Sequence, residues 1–130
     1  MSMKDVAQAI LDAGSVVENL HRIARGDGYC PTTAEERAET AIEAAAWETK
    51  LEALEDDLAR LADAAVAEAG DDLDEMLSAQ CDHVAEILAE RAVYGDSGPG
   101  TGAVLMIAAA LESAARRVSA GQRPFLGGAA

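Results

Sequence analysis

Residues 34–69 constrain the fold more than any other part of the chain, because no glycine or proline interrupts them. They follow the capping-box sequence Thr33-Ala34-Glu35-Glu36, in which a Thr hydroxyl and a Glu carboxylate satisfy free backbone amides at a helix start. Gly70 marks the end of the segment. Apolar residues recur at spacings of four and three along it, namely Trp47, Leu51, Leu54, Leu58, Leu61 and Ala65, preceded by Ala38, Ala41, Ile42 and Ala45. The pattern predicts one long α-helix with a single apolar seam.

Three further segments show helical periodicity, and no segment alternates apolar and polar residues as a strand would. They cover residues 4–25, 72–94 and 103–120, and the last is apolar almost all round in its first half, which predicts a central position. The first carries an apolar stripe formed by Val6, Ile10, Ala13, Val17, Leu20 and Ala24. The predicted fold class is all-α. Two arrangements stay open: a four-helix antiparallel bundle, or a long hairpin of helices 2 and 3 with two further helices packed on it.

The supply of large apolar side chains is small for a chain of this length. Leu, Ile, Val and Phe total 26 of 130 residues, whereas 30 residues are Ala. This fraction lies near the limit below which chains stop folding, so the apolar residues must be well placed. Because they fall on helical seams, we predict one slender helical domain over residues 1–120 and a flexible tail over residues 121–130.

The chain ends and the cysteines predict a cytoplasmic location. The first residues lack the basic and apolar regions of a signal peptide. The longest apolar run, residues 103–111, is too short to cross a bilayer. Cys30 and Cys81 lack the paired spacing of a zinc site, and we predict reduced, buried thiols, with a disulfide between them left open. No cofactor is predicted.

The net charge of −14 is concentrated in one part of the sequence. Residues 31–70 carry a net charge of −8 and residues 71–95 carry −6, whereas residues 1–30 and 96–130 are near neutral at −1 and +1. Acid of this density argues against direct binding of nucleic acid or an anionic membrane, because both have the same charge sign. Adaptation to high salt would spread acid over every surface, so the segregation favours a dedicated interaction face.

We therefore predict a non-catalytic protein that binds a basic surface of a partner protein, such as a nucleic-acid-binding protein. Rows of carboxylates on a helix can occupy a basic groove that normally holds phosphates. The predicted contact residues are Glu48, Glu52, Glu55, Asp56, Asp63, Asp82, Glu86 and Glu90. In charge and size the chain is similar to small acidic inhibitors from phages, such as anti-restriction and some anti-CRISPR proteins.

Two other functions stay open. The first is a self-assembling structural or adaptor module, for example a homodimer, that uses exposed parts of the apolar seams. The second rests on Glu35-Glu36-Arg37-Ala38-Glu39 and Glu68-Ala69-Gly70-Asp71-Asp72-Leu73, which resemble the EExxE and ExGDxL motifs of MazG-type nucleoside triphosphate pyrophosphohydrolases. That resemblance implies an all-α enzyme whose carboxylates hold Mg²⁺. The segment Arg123-Pro124-Phe125-Leu126 could be a docking motif or fold back on the helices.

Overall fold

The computed structural model describes residues 2–27, 32–94 and 101–119, and these residues form α-helices with no strand among them. The helices are α1 (Met3–Ala24), α2 (Ala34–Ala69), α3 (Leu73–Tyr94) and α4 (Thr101–Ser119). A short 3₁₀ turn, Gly70–Asp72, joins α2 to α3. The all-α prediction is confirmed, and the helix boundaries lie within two residues of the predicted ones. Cys30 and residues 121–130 lie outside the described residues.

The starts of α1 and α2 follow from side-chain caps. The Thr33 hydroxyl accepts a hydrogen bond from the Glu36 backbone N–H at 3.1 Å, which confirms the predicted start of α2. The start of α1 has a full capping box that the prediction omitted, with the Asp5 N–H donating to the Ser2 hydroxyl and the Ser2 N–H donating to the Asp5 carboxylate. The hydrogen bond from the Ser2 side chain is the main reason that the pKa of Asp5 lies below its ordinary value. The Ser-x-x-Asp pattern could have revealed this cap.

The most extensive helix pairing joins α1 and α2, which run antiparallel. Near the start of α1, Val6 and Ile10 pack with Leu58 in the second half of α2. Near the end of α1, the His21 ring nitrogen contacts the Glu48 carboxylate in the first half of α2. α3 has far fewer contacts with α2 than α1 has. The most extensive pairing is therefore not the hairpin of helices 2 and 3, which was one of the two arrangements left open.

α4 occupies the central position that its apolar sequence predicts, because it packs against α1, α2 and α3. Leu111 and Ala114 of α4 form a buried cluster with Ala62 and Val66 of α2. At the other end of α4, Leu11 of α1 packs against Gly102. α3 joins this core from outside: its first turns pack Leu73, Met76 and Leu77 against the cluster, and none of its described side chains is fully buried.

The upstream part of the α2 seam was predicted one position out of place. Ala38, Ala41, Ile42 and Ala45 are all exposed, and Ile42 is 73 % exposed. The side chains that continue the seam inwards are Arg37, Thr40 and Ala44, of which Ala44 is buried. These positions continue towards the start of α2 the spacing of three and four that Leu51 belongs to. The prediction missed them because Arg and Thr are not apolar residues.

Candidate partner-binding surfaces

Six of the eight predicted contact residues are exposed, and none of the six has an ion-pair partner among the described residues. Three lie on α2 and three on α3. We call Glu52, Glu55 and Asp56 the α2 acidic surface, and Asp82, Glu86 and Glu90 the α3 acidic surface. Because α2 and α3 have few contacts with each other, these are two surfaces on separate helices and not one face across a helix pair.

The other two predicted contact residues are engaged within the protein. Asp63 is only 1 % exposed, and its carboxylate accepts a hydrogen bond from the Arg117 guanidinium of α4. Its inclusion in an exposed face is a correction, because packing of α4 on α2 covers this position. Glu48 is half-buried and contacts His21 of α1, so it belongs to the α1–α2 interface rather than to the exposed acid.

The α2 acidic surface borders a cleft between α2 and α4. Glu52, Glu55 and Asp56 lie on adjacent helical turns, where side chains three and four positions apart are about 5–6 Å apart. Glu55 lines the cleft, which has a volume of about 340 Å³. The rest of its lining is mostly apolar and includes Leu58, Ala59 and Met106. A partner on this surface would therefore meet carboxylates beside an apolar floor.

The α3 acidic surface faces away from α4. Asp82, Glu86 and Glu90 follow one another at a spacing of four, which places them along one line of the helix. Leu77 and Val84, by contrast, lie on the side of α3 that meets Ala108 of α4. Like charges at this spacing repel each other, so the α3 acidic surface destabilises its own helix by a few tenths of a kcal/mol per pair, or roughly 0.5 kcal/mol in all.

The basic residues of α2 do not neutralise the α2 acidic surface. The Lys50 ammonium lies 4.6 Å from the centroid of the Trp47 ring, in a cation–π contact. Arg60 pairs with Asp57 three positions before it. Arg37 donates a hydrogen bond to the Thr32 carbonyl at 3.1 Å, and it lies near the start of α2, far from the α2 acidic surface. On α4, Arg117 lines the same cleft as Glu55, but its guanidinium pairs with Asp63. Glu52, Glu55 and Asp56 therefore have no ion-pair partner among the described residues.

The two motifs that resemble those of the pyrophosphohydrolases do not come together. Glu35, Glu36 and Glu39 are in the first turns of α2, whereas Glu68 is at its other end, just before Asp71 and Asp72. At 1.5 Å per residue, the continuous helix separates Glu35 from Glu68 by roughly 50 Å. Among residues 2–27, 32–94 and 101–119, no three His, Cys, Asp or Glu side chains are grouped as a metal site would require. The Mg²⁺ site that the resemblance implies is therefore not formed by these two segments.

A groove between α3 and α4 was not predicted as a site. Its lining includes Leu77, Cys81, Val84 and Leu88 of α3. Cys81 is a free thiol and is exposed, so the prediction of a buried thiol is wrong for this residue. The sequence signal was the spacing of these four side chains, which shows that they share one side of α3 but not whether a neighbour covers them.

Within the described part of the chain, none of the helices has the length and apolar character needed to span a membrane. Comparison with known proteins found no matching family model, no matching curated protein and no matching solved structure.

Proposed function

We propose that this protein is a non-catalytic binding protein whose acidic surfaces contact a basic surface of a partner protein. The observation that carries the proposal is that six exposed carboxylates, three in a row on α2 and three in a row on α3, lack an ion-pair partner among the described residues. Exposed like charges in rows cost folding free energy through repulsion. A basic partner would relieve that repulsion in the complex, and binding of such a partner would explain why the rows of carboxylates are present.

The partner class that fits best is a protein with a groove for nucleic acid. Such grooves hold rows of phosphates, and carboxylates at 5–6 Å spacing present a comparable row of negative charge. The protein would then act as an inhibitor by occupying the groove, in the manner of the phage inhibitors to which it is similar in charge and size. A cytoplasmic location belongs to the same proposal.

We also propose that the helices form a four-helix antiparallel bundle. Support comes from three contacts: α1 meets α2 in antiparallel order, Leu11 of α1 packs near the start of α4, and Met3 of α1 packs with the cluster that contains Leu111 of α4. α1 and α4 therefore also run antiparallel. α3 completes the set by packing along α4.

The proposal is tested by capture of the partner with wild-type protein and with a charge-reversed variant. The variant is Glu52→Lys, Glu55→Lys, Asp56→Lys, in which the α2 acidic surface becomes basic. From a lysate of the source organism, we expect wild-type protein to retain a basic partner at 0.1 M salt. We expect the variant to lose at least about tenfold of that binding, because attraction becomes repulsion.

A matched control makes the same charge change elsewhere on α2. Glu35, Glu39 and Glu43 are exposed, and their replacement by Lys alters the net charge equally. The control variant should retain the partner, and raising the salt to 0.5 M should release the partner from wild-type protein. Equal capture by wild-type protein and the Glu52/Glu55/Asp56 variant would refute the proposal.

A second candidate function is self-association, which the exposed apolar side chains of Ile42, Leu88 and Val93 favour. A net charge of −14 on each copy opposes it. Light scattering that shows only monomer at high protein concentration and high salt would exclude this candidate.

A further inference from the structure

The cleft beside the α2 acidic surface is bounded by three helices. Ile10 of α1 and Leu58 of α2 are buried in its lining, and Met106 lines it half-buried from α4. Ala59 and Ala110 also line it, and such short side chains leave the space between the helices unfilled. Its volume of about 340 Å³ lies within the range of sites that hold one small organic molecule.

The charged side chains that line this cleft, Glu55 and Arg117, differ in how they are compensated. The Arg117 guanidinium pairs with the buried Asp63, so this end of the cleft is close to neutral. Glu55 is exposed and has no ion-pair partner among the described residues. Glu52, three positions before it and about 5–6 Å away on the helix surface, adds to the negative potential there. The cleft therefore combines an apolar lining with one uncompensated negative charge.

The two charged ends of the cleft are separated along α2. Glu55 precedes Asp63, the partner of Arg117, by eight positions, which is about 12 Å along the helix axis. Leu58 lies between the two acids, and Met106 packs against the buried cluster that contains Leu58. A cation at Glu55 would therefore lie apart from the Arg117 guanidinium, while apolar groups attached to that cation would contact Leu58 and Met106.

We propose that this cleft binds a small organic cation, namely an amine with an apolar body. Its ammonium group contacts the Glu55 carboxylate, and its body covers Leu58 and Met106. Burial of the body provides hydrophobic free energy, and the charge-assisted hydrogen bond to Glu55 selects the amine over a neutral molecule. A ligand with a carboxylate is disfavoured, because it would be repelled by Glu55 and would find Arg117 already paired. The site goes beyond the proposed function, because it needs no partner protein.

The test uses 4-phenylbutylammonium as the probe, in which an alkyl chain joins a phenyl ring to an ammonium group. The alcohol 4-phenylbutan-1-ol has the same body without the charge, 4-phenylbutanoate carries an anion instead, and methylammonium has the charge without the body. Binding to the full-length protein is followed in NMR spectra with ¹³C-labelled methionine methyl groups. Met106 lines the cleft, whereas Met76 packs against the other core cluster and reports unspecific effects.

We expect 4-phenylbutylammonium to shift the Met106 methyl signal saturably, with a Kd of about 1 mM. The alcohol and the carboxylate should bind about fivefold more weakly, which is the effect of one exposed ion pair, and methylammonium should leave the signal unshifted. Glu55→Gln should weaken binding of the amine about fivefold and leave binding of the alcohol unchanged. The matched control is Glu86→Gln, which makes the same charge change at an exposed acid of α3 that does not line the cleft. It should change the affinity for the amine less than twofold.

Several outcomes would overturn the cation site. Equal affinity for the amine and the alcohol, or a preference for the amine that persists in Glu55→Gln, would show that Glu55 does not select the ligand. Tighter binding of the carboxylate would assign the cleft to Arg117 instead. Equal, unsaturated shifts of Met106 and Met76 would show only a general attraction of cations to an acidic protein. Capture of a basic partner is measured separately, so failure of the cation site and failure of the proposed function are distinguishable.

Discussion

At the scale of single residues, the ion pair between Asp63 and Arg117 is the polar contact with the greatest expected effect on stability. Asp63 on α2 is buried, whereas Arg117 on α4 keeps 34 % of its side chain exposed. Replacement of Asp63 with Ala removes a charge-assisted hydrogen bond and leaves a half-buried guanidinium without that partner. We expect the free energy of unfolding to fall by about 2–3 kcal/mol, below the loss for a fully buried pair because Arg117 can turn to water. Urea denaturation measures the change.

The exposed pair formed by Glu112 and Arg116, four positions apart at 2.6 Å, is the matched control. A double-mutant cycle to Ala at Asp63 and Arg117 should give a coupling free energy above about 1 kcal/mol, and the cycle at Glu112 and Arg116 should give less than about 0.5 kcal/mol. Similar coupling in both cycles would contradict the claim that burial strengthens the first pair.

The sequence could not single out Asp63 from the other acids of α2. It follows Asp56 by seven positions, and so it continues the same side of the helix as that exposed residue. Its partner Arg117 is 54 positions away. Only the packing of α4 on α2 distinguishes the buried Asp63 from the exposed acids of α2. The residues next to Asp63 in the sequence give no sign of that packing. The exposure of the other six acids was predictable, because a charged side chain on a helix stays exposed unless another element packs over it.

At the scale of helices, Gly14 and Gly70 should respond to replacement by Ala with opposite signs. Gly14 lies inside α1, and a Cβ added there would meet no neighbouring atom within 4 Å. We expect Gly14→Ala to raise the free energy of unfolding by about 0.5–1 kcal/mol, through higher helix propensity and a more restricted unfolded chain.

Gly70 caps α2 with a φ of +52°, which side chains with a Cβ rarely adopt. Open space surrounds it as well, so backbone strain is the main effect of a side chain there. We expect Gly70→Ala to lower the free energy of unfolding by about 1–2 kcal/mol. Thermal denaturation monitored by circular dichroism compares the two variants. Stabilisation by both would show that α3 does not need the sharp turn at Gly70.

Helix boundaries were predictable for local reasons, whereas helix neighbours were not. Thr33 and Gly70 mark the two ends of α2 by their own chemistry, namely a hydroxyl that caps amides and a backbone free to adopt a positive φ. Which helix pairs with α2 depends instead on how apolar stripes fit each other. The first half of α2 has Ala on several sides, so its seam could be placed at Ala41 or at Ala44 with equal plausibility, and the packing of α1 decides for Ala44.

At the scale of the whole molecule, the segregation of charge was predictable by counting, but its geometry was not. The sequence predicted a dedicated interaction face formed by the acids of helices 2 and 3. In the structure α3 packs mainly along α4, so the exposed acids form two surfaces on different helices. A single partner must therefore extend over two helices to cover both acidic surfaces. Otherwise the α2 and α3 acidic surfaces bind separately.

The cost of the unpaired acids should be visible as a dependence of thermal stability on salt. Lowering the Debye length from about 30 Å at 0.01 M salt to about 5 Å at 0.3 M screens repulsion between neighbouring carboxylates, so we expect the melting temperature to rise by several degrees. Replacing Glu52 and Glu55 with Gln and Asp56 with Asn should raise the melting temperature at low salt and weaken the salt response. The control neutralises acids that pair with Arg, namely Glu18, Asp27 and Glu112, and should not raise it. A salt-independent melting temperature would mean that the acids carry no stability cost, and the argument that they are kept for a partner would lose its physical basis.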